Sequence, residues 1–439
     1  MSKEDIKNSL NESQQTIIAI ILGFWFIIPL FKEVLITESI FSKFNYISII
    51  IVGIMGTYLL TLNIYKNILK NNENRKGYLN SIIPIIIFMI YMIWTLISAF
   101  LAEDKENAFY GTYYRLDGYI TYIGYAGFFG MAFLLESSKS KKVLLNLFIV
   151  ISMINIVFFE LVNRGFFSEI LVQNLREEGV FYNSNHYGYY LLLVTTITNF
   201  LFVMEKQKVM QIIYGLIYAF FMYYLILNDT FGCYLSTSCS LILFFIYCIY
   251  KKQKRSLAVI SIIIFILMSC CVWKNGRNVA YNNIKNFFGD FEKIQDKIEK
   301  KEGSDEAFNK VGTRRMELWK NGIKFFSEKP ILGYGPENLQ TKYGEVGISQ
   351  DRPHNLLIQL ATTSGFPGLI LYVSAVGVIL VRALKTMKFE KEFQVIFFFA
   401  VVAYLMSAMF GNSMYYTSPY FFMFLGFLMH ENNKENVDL

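Results

Sequence analysis

The run SIIPIIIFMIYMIWTLISAFLA, residues 81–102, carries no charged side chain. A helix needs roughly 20 apolar residues to cross a bilayer core, and this run supplies them. In lipid every backbone N–H and C=O must be satisfied within the segment, so such a run reads as a helix. The rest of the chain agrees. It is 54% hydrophobic and 17% charged with a mean hydropathy of +0.38, where soluble domains carry about a quarter charged residues. The sequence therefore predicts an all-α, polytopic integral membrane protein.

Apolar windows predict about twelve spans, near 15–31, 45–64, 80–101, 118–135, 143–163, 187–204, 209–228, 232–250, 256–273, 357–381, 394–410 and 414–429. The first is not a cleavable signal: its flank mixes acids with bases, and no small-residue cleavage site follows. Lysine and arginine collect in alternate loops: Lys66, Lys70, Arg75 and Lys76; Lys139, Lys141 and Lys142; Lys251, Lys252, Lys254 and Arg255; Arg382, Lys385, Lys388 and Lys391. The positive-inside rule puts these loops and both termini in the cytoplasm. Residues 1–273 then form spans one to nine and 274–356 an extracytoplasmic loop. Residues 357–439 hold the last three spans and a cytoplasmic end. The five cysteines lie in or beside two apolar runs, at spacings that suit neither a disulfide framework nor zinc. A net charge of +7 is ordinary for basic cytoplasmic loops and gives no argument for nucleic acid.

The long loop has helical character. Ile284, Phe287, Phe288, Phe291, Ile294 and Ile298 recur at helical spacing opposite a charged face, as in a helix lying on a membrane or capping a cavity. After Gly312, Met316, Trp319, Ile323 and Phe326 form a second stripe, with Thr313 placed to cap its start. Pro330, Gly333, Gly335 and Pro336 then end that helix.

The unusual polar groups fall on the predicted outer side. Arg115 and Asp117 precede the fourth span; Asn183, Asn185 and His186 lead into the sixth; Arg314 and Arg315 sit in the long loop. Arg352, His354 and Asn355 precede the tenth, and His354 is one of only three histidines. Ionisable groups at membrane entry are costly unless wet or paired, so a cluster marks a cavity; single interfacial arginines also serve as plain anchors. Arginine suits phosphate or pyrophosphate, and a near-neutral histidine suits removal of a proton from an attacking hydroxyl. With no Gly-rich phosphate loop, HExxH or carboxylate cluster, neither a cofactor nor a metal is expected.

Several stretches resemble the O-antigen ligase and O-antigen polymerase superfamily of bacterial membrane glycosyltransferases. GTRRMELWKNGIKFFSEKPILGYGPENL is similar to that family's R-x-x-x-W helix and P-x-x-G-x-G turn, and DRPHNLLIQLATTSGFPGLILYV to its HN-x-x-x-Q segment. AFYGTYYRLDGYITYIGY and GVFYNSNHYGYYL resemble two further blocks, so the likeness extends in order over about 108–371. It implies a GT-C-like helical fold and metal-independent, inverting transfer from a polyprenyl-pyrophosphate-linked oligosaccharide to a glycan, lipid or protein acceptor. The site would face outward from a bacterial cytoplasmic membrane. The resemblance assigns His354 as general base and Arg315 to the donor pyrophosphate. Arg115, Arg314, Arg352, Asn183, Asn185, His186 and Asn355 become substrate-binding candidates. One departure stands out: the turn LNDTFGCYL lacks the family's arginine after the seventh span. Arg115, Arg314 or Arg352 replaces it, or donor and acceptor are held differently.

Richness in Ile, Asn and Lys suggests an AT-rich genome, a host without lipid A, and hence a polysaccharide polymerase over a ligase. A transporter or flippase of lipid-linked glycans is the alternative, since it too has about twelve spans and a cationic cavity. It more often shows repeated halves and mid-span charges, and has no need of a helical outer loop.

Overall fold

The computed structural model describes residues 12–27, 38–70, 75–113, 115–166, 183–299, 304–412, 414–415 and 417–433. The helices of the first half are α1 (Glu12–Ile27), α2 (Glu38–Lys70), α3 (Arg75–Ser81), α4 (Ile83–Phe100), α5 (Lys105–Tyr110), α6 (Tyr119–Leu134), α7 (Ser138–Asn163) and α8 (Ser184–Met204). Next come α9 (Lys208–Leu227), α10 (Phe231–Tyr250) and α11 (Arg255–Cys271). A small antiparallel hairpin, β1 (Trp273–Lys274) and β2 (Arg277–Asn278), opens the long loop. The loop continues with α12 (Val279–Glu299), α13 (Ser304–Glu328) and α14 (Leu339–Glu345). The chain returns through α15 (Leu356–Thr386), α16 (Glu392–Ala408) and α17 (Ser418–Asn433).

The protein is a polytopic helical membrane protein. Seven helices among the described residues are long and apolar enough to cross a bilayer: α2 over Tyr46–Leu69, α4, α7, α8, α9, α10 and α15. Four shorter apolar helices, α1, α6, α11 and α16, coincide with further expected spans, and α17 with the last. The expected count of about twelve therefore includes five helices below that length and composition threshold.

Position in the bundle follows side-chain polarity. On α4, Ile86, Ile90, Ile93 and Ile97 form an exposed stripe at helical spacing, as a lipid-facing surface requires, while Tyr91, Thr95 and Ser98 turn inward. Helix α8 is buried over the whole of its span and packs against α9 and α16. Helices α2 and α6 approach so closely that a Cβ on Gly56 would lie 2.1 Å from the Gly127 carbonyl. Without a hydrophobic effect between helices in lipid, such small-residue contacts are a main source of association.

The long loop is pinned to α15. Gly365 interrupts that helix at φ 68°, with Pro367 two residues on, and the interruption frees carbonyls that need donors. The Tyr334 and Gly335 amides donate to the Thr362 and Thr363 carbonyls at 2.9 Å each, and the Phe366 amide to the Pro330 carbonyl at 2.8 Å. Ser98 on α4 adds a hydroxyl donor to Leu332 and Thr363. A Cβ on Gly365 would sit 1.9 Å from the Ile331 carbonyl oxygen, so this junction needs glycine.

Within the loop, α12 leaves Ile284 and Phe288 exposed, while Phe287 stacks on Phe231 at 5.1 Å; the side chains of Phe291, Ile294 and Ile298 lie outside the described residues. Helix α13 begins at Ser304, well before the expected cap at Thr313, and instead Arg314 takes a left-handed backbone (φ 67°) within it. Leu318 and Phe325, with Trp319 partly buried, pack on Tyr334, Leu339 and Tyr343 into a small core of the loop's own.

Candidate functional site

Two clusters of polar groups form where the long loop meets the start of α15. Asn355 caps α15 by accepting the Ile358 amide at 3.1 Å, and its own amide donates to the Met409 carbonyl at 3.0 Å. Those two bonds fix the preceding residues, Asp351 to His354, against the end of α16.

The first cluster is a closed set of ion pairs. Asp351 receives two hydrogen bonds from Arg115, Nε at 2.7 Å and Nη2 at 2.9 Å. Arg352, almost fully buried, pairs with Asp117 at 3.1 Å and with Glu337. The Tyr125 hydroxyl donates to Asp117 at 2.5 Å and Thr112 Oγ1 to Glu337 at 2.9 Å. Burial pushes the Asp351 carboxyl up, but the Arg115 hydrogen bonds and charge outweigh it and hold the group at about 2. Burial likewise opposes the charge on Arg352, and the Glu337 and Asp117 carboxylates more than offset it, so this guanidinium stays protonated. Two carboxylates face that one cation, and burial pushes Glu337 up.

The second cluster contains His354 and Arg315, brought together from α13 and from the turn before α15. His354 is held in the left-handed region at φ 52°, a conformation that costs about 1–3 kcal/mol and persists only where surroundings enforce it. Its Nδ1 lies 3.1 Å from the Arg352 carbonyl. A carbonyl only accepts, so Nδ1 carries the proton and Nε2 keeps its lone pair in the neutral ring. Burial, with the Arg315 charge adding to it, brings the imidazole down to about 4. His354 is therefore an uncharged base at neutral pH. Arg315 lies in the field of Tyr189 and Cys233, and burial lowers its pKa from the usual arginine value. Among the described residues no carboxylate pairs with it.

The other candidates divide. Arg115 and Arg352 belong to the closed ion-pair set. Arg314 is exposed and pairs with Glu317 on its own helix at 2.7 Å. So all three cations expected to stand in for the missing arginine are matched with carboxylates. The turn that lacks it has Asp229 at φ 59°, bonded to Asn283 of α12 at 3.0 Å. Asn183 caps α8 by accepting the Asn185 amide at 2.9 Å. His186, buried, stacks on Tyr189 with ring centroids 6.1 Å apart, which links the start of α8 to the Arg315 side. Sequence reasoning passed over Glu337 and Tyr189. Glu337 is an ordinary acid after a Gly–Pro turn, and only its left-handed backbone (φ 56°) aims it inward. Among the described residues no three His, Cys, Asp or Glu side chains gather at metal-ligand spacing.

Residues 216–373, from α9 through the kink of α15, match the family model described as O-antigen ligase. That match over about a third of the chain supports the likeness to the O-antigen ligase/polymerase superfamily. The matched segment contains α13, the loop junction, Arg315 and His354, whereas Arg115, Asp117 and α8 lie before it. The matched family is one of membrane glycosyltransferases of the ligase or polymerase kind, which act on lipid-linked glycans at that general level. No curated protein matches the chain.

Proposed function

We propose that the protein transfers or polymerises a polyprenyl-pyrophosphate-linked glycan on the outer face of a bacterial cytoplasmic membrane, with polymerisation favoured over ligation. The observation that carries the reading is the pairing of a neutral histidine with an arginine that no carboxylate among the described residues neutralises, inside the O-antigen ligase segment. Three carboxylates lie close by, and all three serve Arg115 and Arg352.

In this mechanism His354 Nε2 takes the proton from an acceptor hydroxyl as its oxygen attacks the anomeric carbon of the donor sugar. The bond from that carbon to the pyrophosphate oxygen breaks, with inversion. The pyrophosphate leaves on its lipid with its negative charge facing Arg315, whose planar donors suit phosphate oxygens. No metal takes part. Arg115 and Arg352, locked by Asp351, Asp117 and Glu337, hold the turn that aims His354. The buried start of α8, with His186 and the Asn183 cap, forms the far wall. The twelve spans and cytoplasmic termini expected from the sequence support an outward-facing site.

Purified protein incubated with a polyprenyl-pyrophosphate oligosaccharide and candidate acceptors tests the reading. It predicts longer or transferred glycan together with released lipid pyrophosphate. Movement of labelled donor across vesicles without any new glycosidic bond would replace it with the transporter reading.

A further inference from the structure

A second cavity lies on the other side of α8. It has a volume of about 180 Å³ and is lined by Phe159 and Glu160 of α7, Tyr187 of α8, Tyr224 and Leu227 of α9, Asn228 and Lys274. On the scale of roughly 10–15 Å³ per water position, that holds on the order of ten waters, so it accepts a solute the size of one sugar ring.

The cavity has an unmet polar demand. Asn228 is about nine-tenths buried, and its amide nitrogen is used twice, towards the Ser184 carbonyl and Thr230 Oγ1 at 2.8 Å each. Among the described residues its Oδ1 has no partner, and a buried acceptor left so is costly unless a ligand or water supplies a donor. Tyr224 and Tyr187 line the cavity beside it, with Glu160 within electrostatic reach of both tyrosines. Aromatic faces offer apolar contact to the C–H side of a pyranose, and Glu160 and Asn228 Oδ1 accept from its hydroxyls. Glu160 and Lys274 put opposite charges in the same lining, which suits an uncharged solute better than a phosphate.

Position ties the cavity to the proposed reaction. Tyr187 faces it, while Tyr189, two residues on and therefore on the opposite side of the helix, stands in the field of Arg315. The two sites share the first turn of α8 and are separated by about one helix diameter, ~10 Å. A short oligosaccharide spans that distance.

We infer that this cavity is a saccharide subsite, binding one uncharged pyranose of the glycan while its reacting end lies at His354. The inference rests on the glycan-transfer reading, and the test separates the two. Saturation-transfer NMR on the full-length protein in detergent, with free glucose, galactose and N-acetylglucosamine as probes, reads binding with no catalysis involved. Transfer to ring protons of at least one sugar is expected for the wild type. Affinity should be weakened about fivefold by Glu160→Gln or Asn228→Leu, as for loss of one buried hydrogen bond, and unchanged in His354→Ala. A thermal melt beside each sample shows that the variants are folded. No signal with any sugar, or equal signals in wild type, Glu160→Gln and Asn228→Leu, overturns the subsite. Sugar binding that persists in a protein unable to form a glycosidic bond would leave the subsite standing and sink the transfer reading.

Discussion

Arg352 and Arg315 are both largely buried arginines beside His354, yet their surroundings differ. Arg352 has carboxylates on two sides, Asp117 and Glu337, and its neighbour Asp351 is held by Arg115. Arg315 has a tyrosine and a cysteine. A charge matched by fixed counter-charges holds a structure together and has little left to offer a ligand. A desolvated charge without such a match attracts an anion strongly, because the low local dielectric magnifies the attraction. Under the proposed function, this contrast gives the ion-pair set to architecture and the Arg315–His354 corner to chemistry.

The sharpest break in that comparison comes from His354→Gln. Loss of a general base costs about 10²–10⁴ in rate, so turnover should nearly vanish while the melting temperature of the detergent-solubilised protein stays at the wild-type value. Arg352→Met should do the opposite first. Removing one member of a buried ion-pair set costs about 3–5 kcal/mol because it leaves carboxylates uncompensated, and a large fall in melting temperature and in extractable folded protein is expected. Adding Asp117→Asn should recover part of it. For Arg315, the alanine variant should lose donor use by about a hundredfold, and the lysine variant by less, since a point cation keeps the attraction but not the planar fork; steady-state kinetics with varied donor separates the two. Arg314→Ala marks the small end. Its exposed pair with Glu317 contributes at most about 0.5 kcal/mol, so activity and melting temperature should match the wild type.

Much of this was legible in the chain. Hydropathy runs place each apolar helix, and the rarity of histidine singled out His354. The GYG turn signalled the end of α13, but not that its amides would fill the gap at Gly365, because that match depends on two segments about thirty residues apart meeting in space. The roles of the arginines were equally hidden. Arg115, Arg314, Arg315 and Arg352 look alike in sequence, and only the positions of Asp117, Glu317, Glu337 and Asp351 tell them apart. Glu337 carries no periodic or compositional signal, so the closed ion-pair set emerged only from the fold. The short helices α6 and α11 show the converse: their apolar runs, 118–135 and 256–273, predict spans slightly longer than the helices Tyr119–Leu134 and Arg255–Cys271 that form.

The central claim, an uncharged histidine base standing in the field of a bare arginine, is most directly tested by the pH dependence of kcat/KM. Arg315, Asp351 and Arg115 are the charges that act on His354, and burial with the Arg315 charge lowers it to about 4. The base works when deprotonated, so kcat/KM should hold steady as pH falls through the ordinary histidine range and drop only towards 4. In Arg315→Gln, with one cation gone, that acid limb should move to higher pH. A wild-type limb near the ordinary histidine value of about 6.5, unmoved by the Arg315 substitution, would contradict the account.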